Sequence, residues 1–216
     1  MNEIQFMGIK ERKEREKERR RQQIMVAAKR IFSDKGFSKA TMDDIAKEAE
    51  LSAGTIYLYF KNKDELCASL TLRILQYLLM RVEHVFYEKE LDGENRINAL
   101  KNALYDVYEF DPLILRNMFH LHSSETFQSL SPELLQEINH LSDKSIRIIG
   151  KIFKSTIKEG FFADKDAMEI AYVIWATFSG LALWEESRKT FAYDEIDLKQ
   201  TLSLAFDIIS HGLTKK

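Results

Sequence analysis

Two prolines, Pro112 and Pro132, and eight glycines are all that punctuate 216 residues. Both residue types fall well below the roughly 5% and 7% of average usage, so few points along the chain force a reversal of direction. Apolar residues instead return at three- and four-residue steps, as in Leu66, Leu70, Ile74, Tyr77, Leu78 and Val82, which is the spacing of a helix with one buried face. The starts and stops are legible too. Gly36 closes a first helix near Lys35, Thr41 and Ser52 offer capping hydroxyls, Gly93 reopens the chain, and Pro112 and Pro132 suit first helical turns. The expectation is an all-α fold of about nine helices. Two are short, from Thr41 to about Glu50 and from Ala53 to Tyr59. Long ones follow to about Glu90, from Ile97 to just before Asp111, and from Ser131 to Glu159, with a shorter one from Pro112 to about His122. Asp164 to Glu186 and Asp194 to His211 supply the last two.

With 45% hydrophobic and 31% charged residues, the chain can bury a sizeable core. The single cysteine, Cys67, has no internal disulfide partner, and the chain start lacks the charged, apolar and small-residue pattern of a secretory leader. A cytoplasmic protein is expected. The most apolar stretch, Ile170 to Trp184, is interrupted by Thr177, Ser179 and Gly180, so no membrane span of about 18 residues is expected. The net charge of −2 is unevenly spread: Met1 to Leu66 holds 15 Lys+Arg against 12 Asp+Glu, and the remainder 17 against 22. A front end suited to a polyanion follows.

Three segments emerge: a basic, charged extension of the first helix over 1–20, a helix-turn-helix DNA-binding domain over 21–66, and a helical ligand-binding and dimerisation domain over 67–216. The extension, KERKEREKERRR from Lys10 to Arg21, has eight cations and four acids. It fits either a solvated, salt-bridge-laced helix or a phosphate-contacting one. In the second segment, two short helices flank a tight turn, an arrangement that sets the second helix into the major groove. Ala53 and Gly54 permit close backbone approach there, while Thr55 and Tyr57 present hydroxyls to bases or phosphates. Ile45, Ala46, Leu51, Ile56 and Phe60 point inward as core. Thr41 and Ser52 read as helix caps or as phosphate ligands, since both roles use the same hydroxyl chemistry.

The stretch TMDDIAKEAELSAGTIYLYFKNKDEL, Thr41 to Leu66, together with Ile24, Ala27, Ala28, Phe32 and Gly36-Phe37 before it, resembles the DNA-binding signature of the tetracycline-repressor (TetR) family. The resemblance covers about the first 70 residues. It implies contacts to bases or phosphates from Ser52, Ala53, Gly54, Thr55 and Tyr57, and to phosphates from Thr41, Tyr59 and Lys63. It also implies a homodimer formed through the last two helices, double-stranded operator DNA as partner, and a small-molecule effector that releases a repressor from a palindromic site.

Beyond Leu66 the pattern is looser, with Glu159-Gly160-Phe161-Phe162 and Ser179-Gly180-Leu181 similar to the family's closing helices. Ile170, Val173, Ile174, Thr177, Phe178, Leu181 and Trp184, with Leu198, Leu202, Ala205, Ile208 and Ile209, give two wide apolar faces that need partners on both sides. Phe178 is the residue singled out for the dimer face. Bulky side chains, among them Tyr105, Phe119, Phe153, Trp175 and Phe178, are candidates to line an apolar or amphipathic effector pocket. His120 and His122 stand two apart on a helix and so point about 200° from each other, unsuited to one metal ion. No phosphate loop, metal cluster or nucleophile motif is evident, so no catalysis, cofactor or metal is expected. A helical protein-interaction module without sequence-specific DNA binding is the alternative.

Overall fold

The computed structural model describes residues 3–113, 115, 130–190 and 197–214, without the side chains of 3–9, 189 and 190. Among them the chain forms eight helices: α1 (Glu3–Lys35), α2 (Met42–Glu48), α3 (Ala53–Tyr57), α4 (Lys63–Tyr87), α5 (Gly93–Phe110), α6 (Pro132–Lys158), α7 (Ala167–Thr190) and α8 (Leu198–Leu213). No strand occurs among the described residues. The helix expected from Pro112 to about His122 falls largely outside them. The chain divides into two compact units, Met1–Leu70 and Thr71–Lys216, with the division inside α4.

In the first unit α1 packs on α2, and α2 on α3. Ile24, Ala27, Ala28 and Phe32 of α1 meet a core completed by Ile45, Ala46, Ile56 and Phe60, all buried, as the sequence spacing requires; Leu51 is only half-buried. The turn between α2 and α3 is built on a residue with no intrinsic liking for it. Glu50 adopts φ 54°, in the left-handed region, which lets its amide donate to Lys47 O at 3.1 Å and the Leu51 amide donate to Ala46 O at 2.9 Å. That pair of bonds is the Schellman closure of a helix, a position where glycine is usual.

The second unit packs α6 on α7, α7 on α8, and α5 on both α6 and α8. Its core joins Leu100, Leu104 and Val107 to Ile149, Ile152, Phe153, Phe162, Ile174, Phe178, Leu202 and Phe206. Gly150 leaves room for Met168 of α7, whose Sδ a Cβ there would displace. Arg96 is buried at 8% exposure and knots α5 to the end of α6. Its guanidinium donates to Ser155 Oγ at 2.5 Å, Glu159 Oε1 at 2.9 Å and Leu91 O at 2.8 Å, the dense pairing that a buried charge needs.

Thr177, Ser179 and Gly180 are carried inside one unbroken helix, α7, of which Ala167–Arg188 has the length and composition of a membrane-crossing segment, properties that the core helix of a globular protein shares. The helix is apolar on two sides. Ile170, Ala171, Ile174, Phe178 and Ala182 are core, while Tyr172, Val173, Leu183 and Trp184 are exposed. Phe178 therefore lies on the face turned into its own unit, at 0% exposure, and not on the open face expected of a dimer residue.

Candidate nucleic-acid interface

The site is built from its caps. Thr41 Oγ1 accepts the Asp44 amide at 3.1 Å and donates to Asp44 Oδ2 at 2.8 Å, while the Thr41 amide reaches back to the same carboxylate at 3.2 Å. This reciprocal box satisfies amides at the start of α2. Lys35 adds an ion pair to Asp44 Oδ1 at 2.5 Å. The Lys35 ammonium, and after it the Thr41 hydroxyl, hold the Asp44 carboxyl below its ordinary pKa.

At the start of α3, Ser52 Oγ accepts the Thr55 amide at 3.1 Å and shares a hydrogen bond with Thr55 Oγ1 at 2.8 Å. Both hydroxyls of this pair are thus oriented by each other. Ile56 anchors the helix in the core, whereas Tyr57 is 53% exposed. Gly54 is exposed, and a Cβ there would meet nothing closer than Ser52 Oγ at 3.9 Å. No crowding inside the protein therefore accounts for a glycine here, in the first turn of α3. Ala53, Thr55 and Tyr59 are half-exposed.

Lys63 opens α4 but its ammonium is engaged with main chain. It donates to Phe37 O at 2.6 Å, Ala40 O at 3.1 Å and Ser38 O at 3.3 Å, and stands 4.5 Å from the centre of the Phe37 ring. Those carbonyls belong to the segment between α1 and α2, so Lys63 brings the start of α4 against the approach to Thr41. Arg21 makes a parallel link: it donates to Tyr59 O at 3.4 Å and Ser69 Oγ at 3.4 Å, with its guanidinium 4.5 Å over Phe60.

Two residues beside this surface were not among those singled out from the sequence. Leu58, just past the end of α3, is 82% exposed and adjoins Tyr57; its phase, two residues from both buried Ile56 and buried Phe60, was the available signal. Arg21 belongs to a charged run in the sequence and proves to be a strut under Tyr59.

Of the residues proposed to line an effector pocket, Phe153 and Phe178 are buried in the core of the second unit, and Trp175 packs against Phe178 with ring centres 5.8 Å apart. Tyr105 lies 6.5 Å from Tyr108, whose hydroxyl donates to Glu186 Oε1 at 2.8 Å. Phe119, like His120 and His122, is outside the described residues. A separate cleft of about 190 Å³ between α5 and α8 is lined by Glu94, Asn98, Phe161, Asp207 and His211 among others. Among the described residues no cluster of three metal-ligating side chains occurs.

Residues 24–70 match the family described as bacterial regulatory proteins, tetR family, and residues 88–215 match the QacR-like protein C-terminal region. A helix-turn-helix transcriptional regulator of Haemophilus influenzae is 36% identical over 109 residues, 50% of this chain and 58% of that one. The fatty acid metabolism regulator protein of Bacillus subtilis is 29% identical over 138 residues, covering 64% and 68% of the two chains. The alignment to the first of these thus spans little more than half of that relative. Among solved structures, the TetR-family regulator PfmR of Thermus thermophilus superposes with a TM-score of 0.72 at 19% identity, covering 89% of this chain and 99% of that one. FadR of Bacillus subtilis, in complex with stearoyl-CoA, gives 0.67 at 21% identity, covering 89% and 98%. These two establish the shared fold.

Proposed function

Because the chain belongs to the TetR family of bacterial transcriptional regulators, we propose that it is an operator-bound repressor, working as a homodimer that a small apolar or amphipathic effector releases from a palindromic site. Gly54 carries the DNA reading. Its missing side chain relieves no crowding inside the protein, so the close approach that it permits is to a molecule outside, at the turn where α3 meets the major groove. Around it Ser52, Ala53 and Thr55 line the same helical turn, and Tyr57 extends from it to base edges or phosphates. Thr41, Tyr59 and Lys63 frame that surface and serve as phosphate contacts, Lys63 through its charge and the amides at the start of α4, and Thr41 by turning its hydroxyl proton from Asp44 to a phosphate oxygen.

The effector is assigned to the second unit, with Tyr105, Phe119, Phe153, Trp175 and Phe178 as candidate lining. One relative is a fatty acid metabolism regulator, which supports a long acyl chain as the apolar part. Two recognition helices must match half-sites about 34 Å apart, so an effector that favours a different separation lowers operator affinity by its differential binding to the two states. Dimer pairing is assigned to α7 and α8, through the exposed faces of Tyr172, Val173, Leu183, Trp184, Leu204 and Ile208.

A mobility-shift assay with the DNA upstream of the protein's own coding sequence tests the reading. Salt-sensitive, competitor-resistant binding that Tyr57→Ala weakens at least tenfold is expected. Binding indifferent to that change would sink the assignment of α3. Stearoyl-CoA is the first effector to try, and a complex that it leaves intact at saturation argues against an acyl ligand.

A further inference from the structure

Along the sequence the run from Lys10 to Arg21 looks half neutralised, but the helix sorts its charges. α1 is unbroken from Glu3 to Lys35. At about 3.6 residues per turn, Lys10, Lys13 and Lys17 fall on one stripe, Glu11, Glu14 and Glu18 on a second, and Arg12, Arg15 and Arg19 on a third. The lysine stripe continues into Arg21, Ile24, Ala28 and Ile31, so it lies on the side of α1 that faces its own unit. Arg21, at the rim of the packed region, is already turned inward onto Tyr59 O and the Phe60 ring. Every residue from Lys10 to Arg19 is exposed, so over that length α1 has run beyond the elements on which it packs.

Pairing within the run leaves the lysines free. Glu16 takes Arg19 at 2.7 Å and Arg20 at 3.3 Å, and Glu18 accepts from Gln22 at 2.7 Å. Lys10, Lys13 and Lys17 make no ion pair among the described residues, although Glu14 is within helical reach of two of them. Glu16 and Glu18 thus brace the helix through neighbours three and four residues away. Among the described residues Arg12 and Arg15 are as unpaired as the lysines, and what sets the lysine line apart is that it runs on the face of α1 continuous with its packed side.

We propose that this stripe is a backbone arm: Lys10, Lys13 and Lys17 bind phosphates of the duplex beyond the stretch read by α3, on the side of Tyr59. The proposal rests on the reading of α3 as the DNA-binding helix. The three lysines span about 10 Å at ~1.5 Å per residue, against one charge per ~3.4 Å of axis on each DNA strand, so the stripe has room for three phosphates. A rigid helical arm also enters the complex with its backbone already ordered, which lowers the cost of binding.

The test compares two full-length triple variants with the same loss of charge, K10Q/K13Q/K17Q and R12Q/R15Q/R19Q, on a fluorescent duplex of the protein's own upstream DNA across a salt series. The lysine triple is expected to reduce the slope of log affinity against log salt by about 2 to 3 per arm, hence about 5 for the dimer, at ~0.9 per phosphate contact, and the arginine triple by less than one per arm. Hydroxyl-radical footprinting should show backbone protection outside the half-sites that the lysine triple alone loses. Equal effects in both triples would mean a diffuse field and would overturn the arm, as would an unchanged slope in the lysine triple. A wild type that binds this DNA while the lysine triple is indifferent defeats the arm alone; a wild type with no salt-dependent binding defeats the arm and the DNA reading together.

Discussion

The ammonium of Lys63 lies 2.6 Å from the carbonyl oxygen of Phe37 and 4.5 Å from the centre of that residue's ring. With its further bonds to Ser38 O and Ala40 O, this one cation closes the segment that joins α1 to α2. Hydrogen bonds to a charged group contribute about 1.5–3 kcal/mol. Lys63→Met should therefore lower the stability of the first unit by about 2 kcal/mol, read as a lower urea midpoint with an unchanged slope. A midpoint equal to wild type, with only DNA affinity reduced, would mean that the carbonyl contacts are incidental.

Glu50 offers the opposite kind of change. A side chain in the left-handed region costs about 1–2 kcal/mol, and glycine escapes that cost. Glu50→Gly should raise the melting temperature by a few degrees while leaving the two Schellman bonds in place. A lower melting temperature would show that the Glu50 side chain contributes more than its backbone strain costs.

How legible this was depends on which interactions carry each feature. The helices were readable because their apolar spacing and caps are local: Thr41, Ser52, Asp92, Ser131 and Asp197 each accept an amide three residues on, and side-chain types record that directly. Helix ends were less so. α4 stops at Tyr87, α3 at Tyr57 and α2 at Glu48, each short of the expected end, because no glycine or proline marks the stop. The long-range roles were hidden. Lys63 and Arg21 are bonded to residues 23 or more positions away in sequence, and the inward setting of Phe178 depends on which of two apolar faces meets its own unit, a choice that periodicity leaves open.

Acid should weaken the start of α2 through Asp44. Its carboxyl is held below the ordinary value of 3.8 by Lys35 and then Thr41. A group with a depressed folded pKa contributes stability that is fully present above its unfolded pKa and is lost as pH falls through the folded one. Between pH 5 and 4 the wild type should keep this contribution, and below 3.8 it should lose it. Asp44→Asn should accordingly be the less stable protein at pH 6 and approach the wild type near pH 2. Parallel stability curves over that range would rule out the Asp44 carboxylate as the source.

Cys67 is 0% exposed at the second turn of α4, and burial, more than the nearby Asp64 charge, pushes its thiol up to about 12. The thiolate is the reactive form, so the native protein at pH 8 should resist Ellman's reagent and react fully once unfolded in guanidinium. Rapid stoichiometric labelling without denaturant would show that this part of α4 opens readily.

The two apolar faces of α7 separate folding from pairing. Phe178 is fully buried and Trp184 is 67% exposed, as Ile208 of α8 is at 64%. A charge forced into the site of Phe178 has no partner there, and an uncompensated buried charge costs several kcal/mol, so Phe178→Glu should unfold the second unit instead of dividing a dimer. Trp184→Glu and Ile208→Glu place the same charge on the open face, where in a monomer it is solvated and nearly neutral in cost. In a two-fold pair each substitution meets its own copy or a desolvated apolar surface. Both variants should keep the wild-type helix content and melt cooperatively, yet sediment as monomers at micromolar concentration where the wild type sediments as a dimer. They should also lose operator affinity steeply, since two half-sites then have to be bound independently. If both variants remain dimeric, pairing uses another surface, and the exposed face of α7 needs a different occupant.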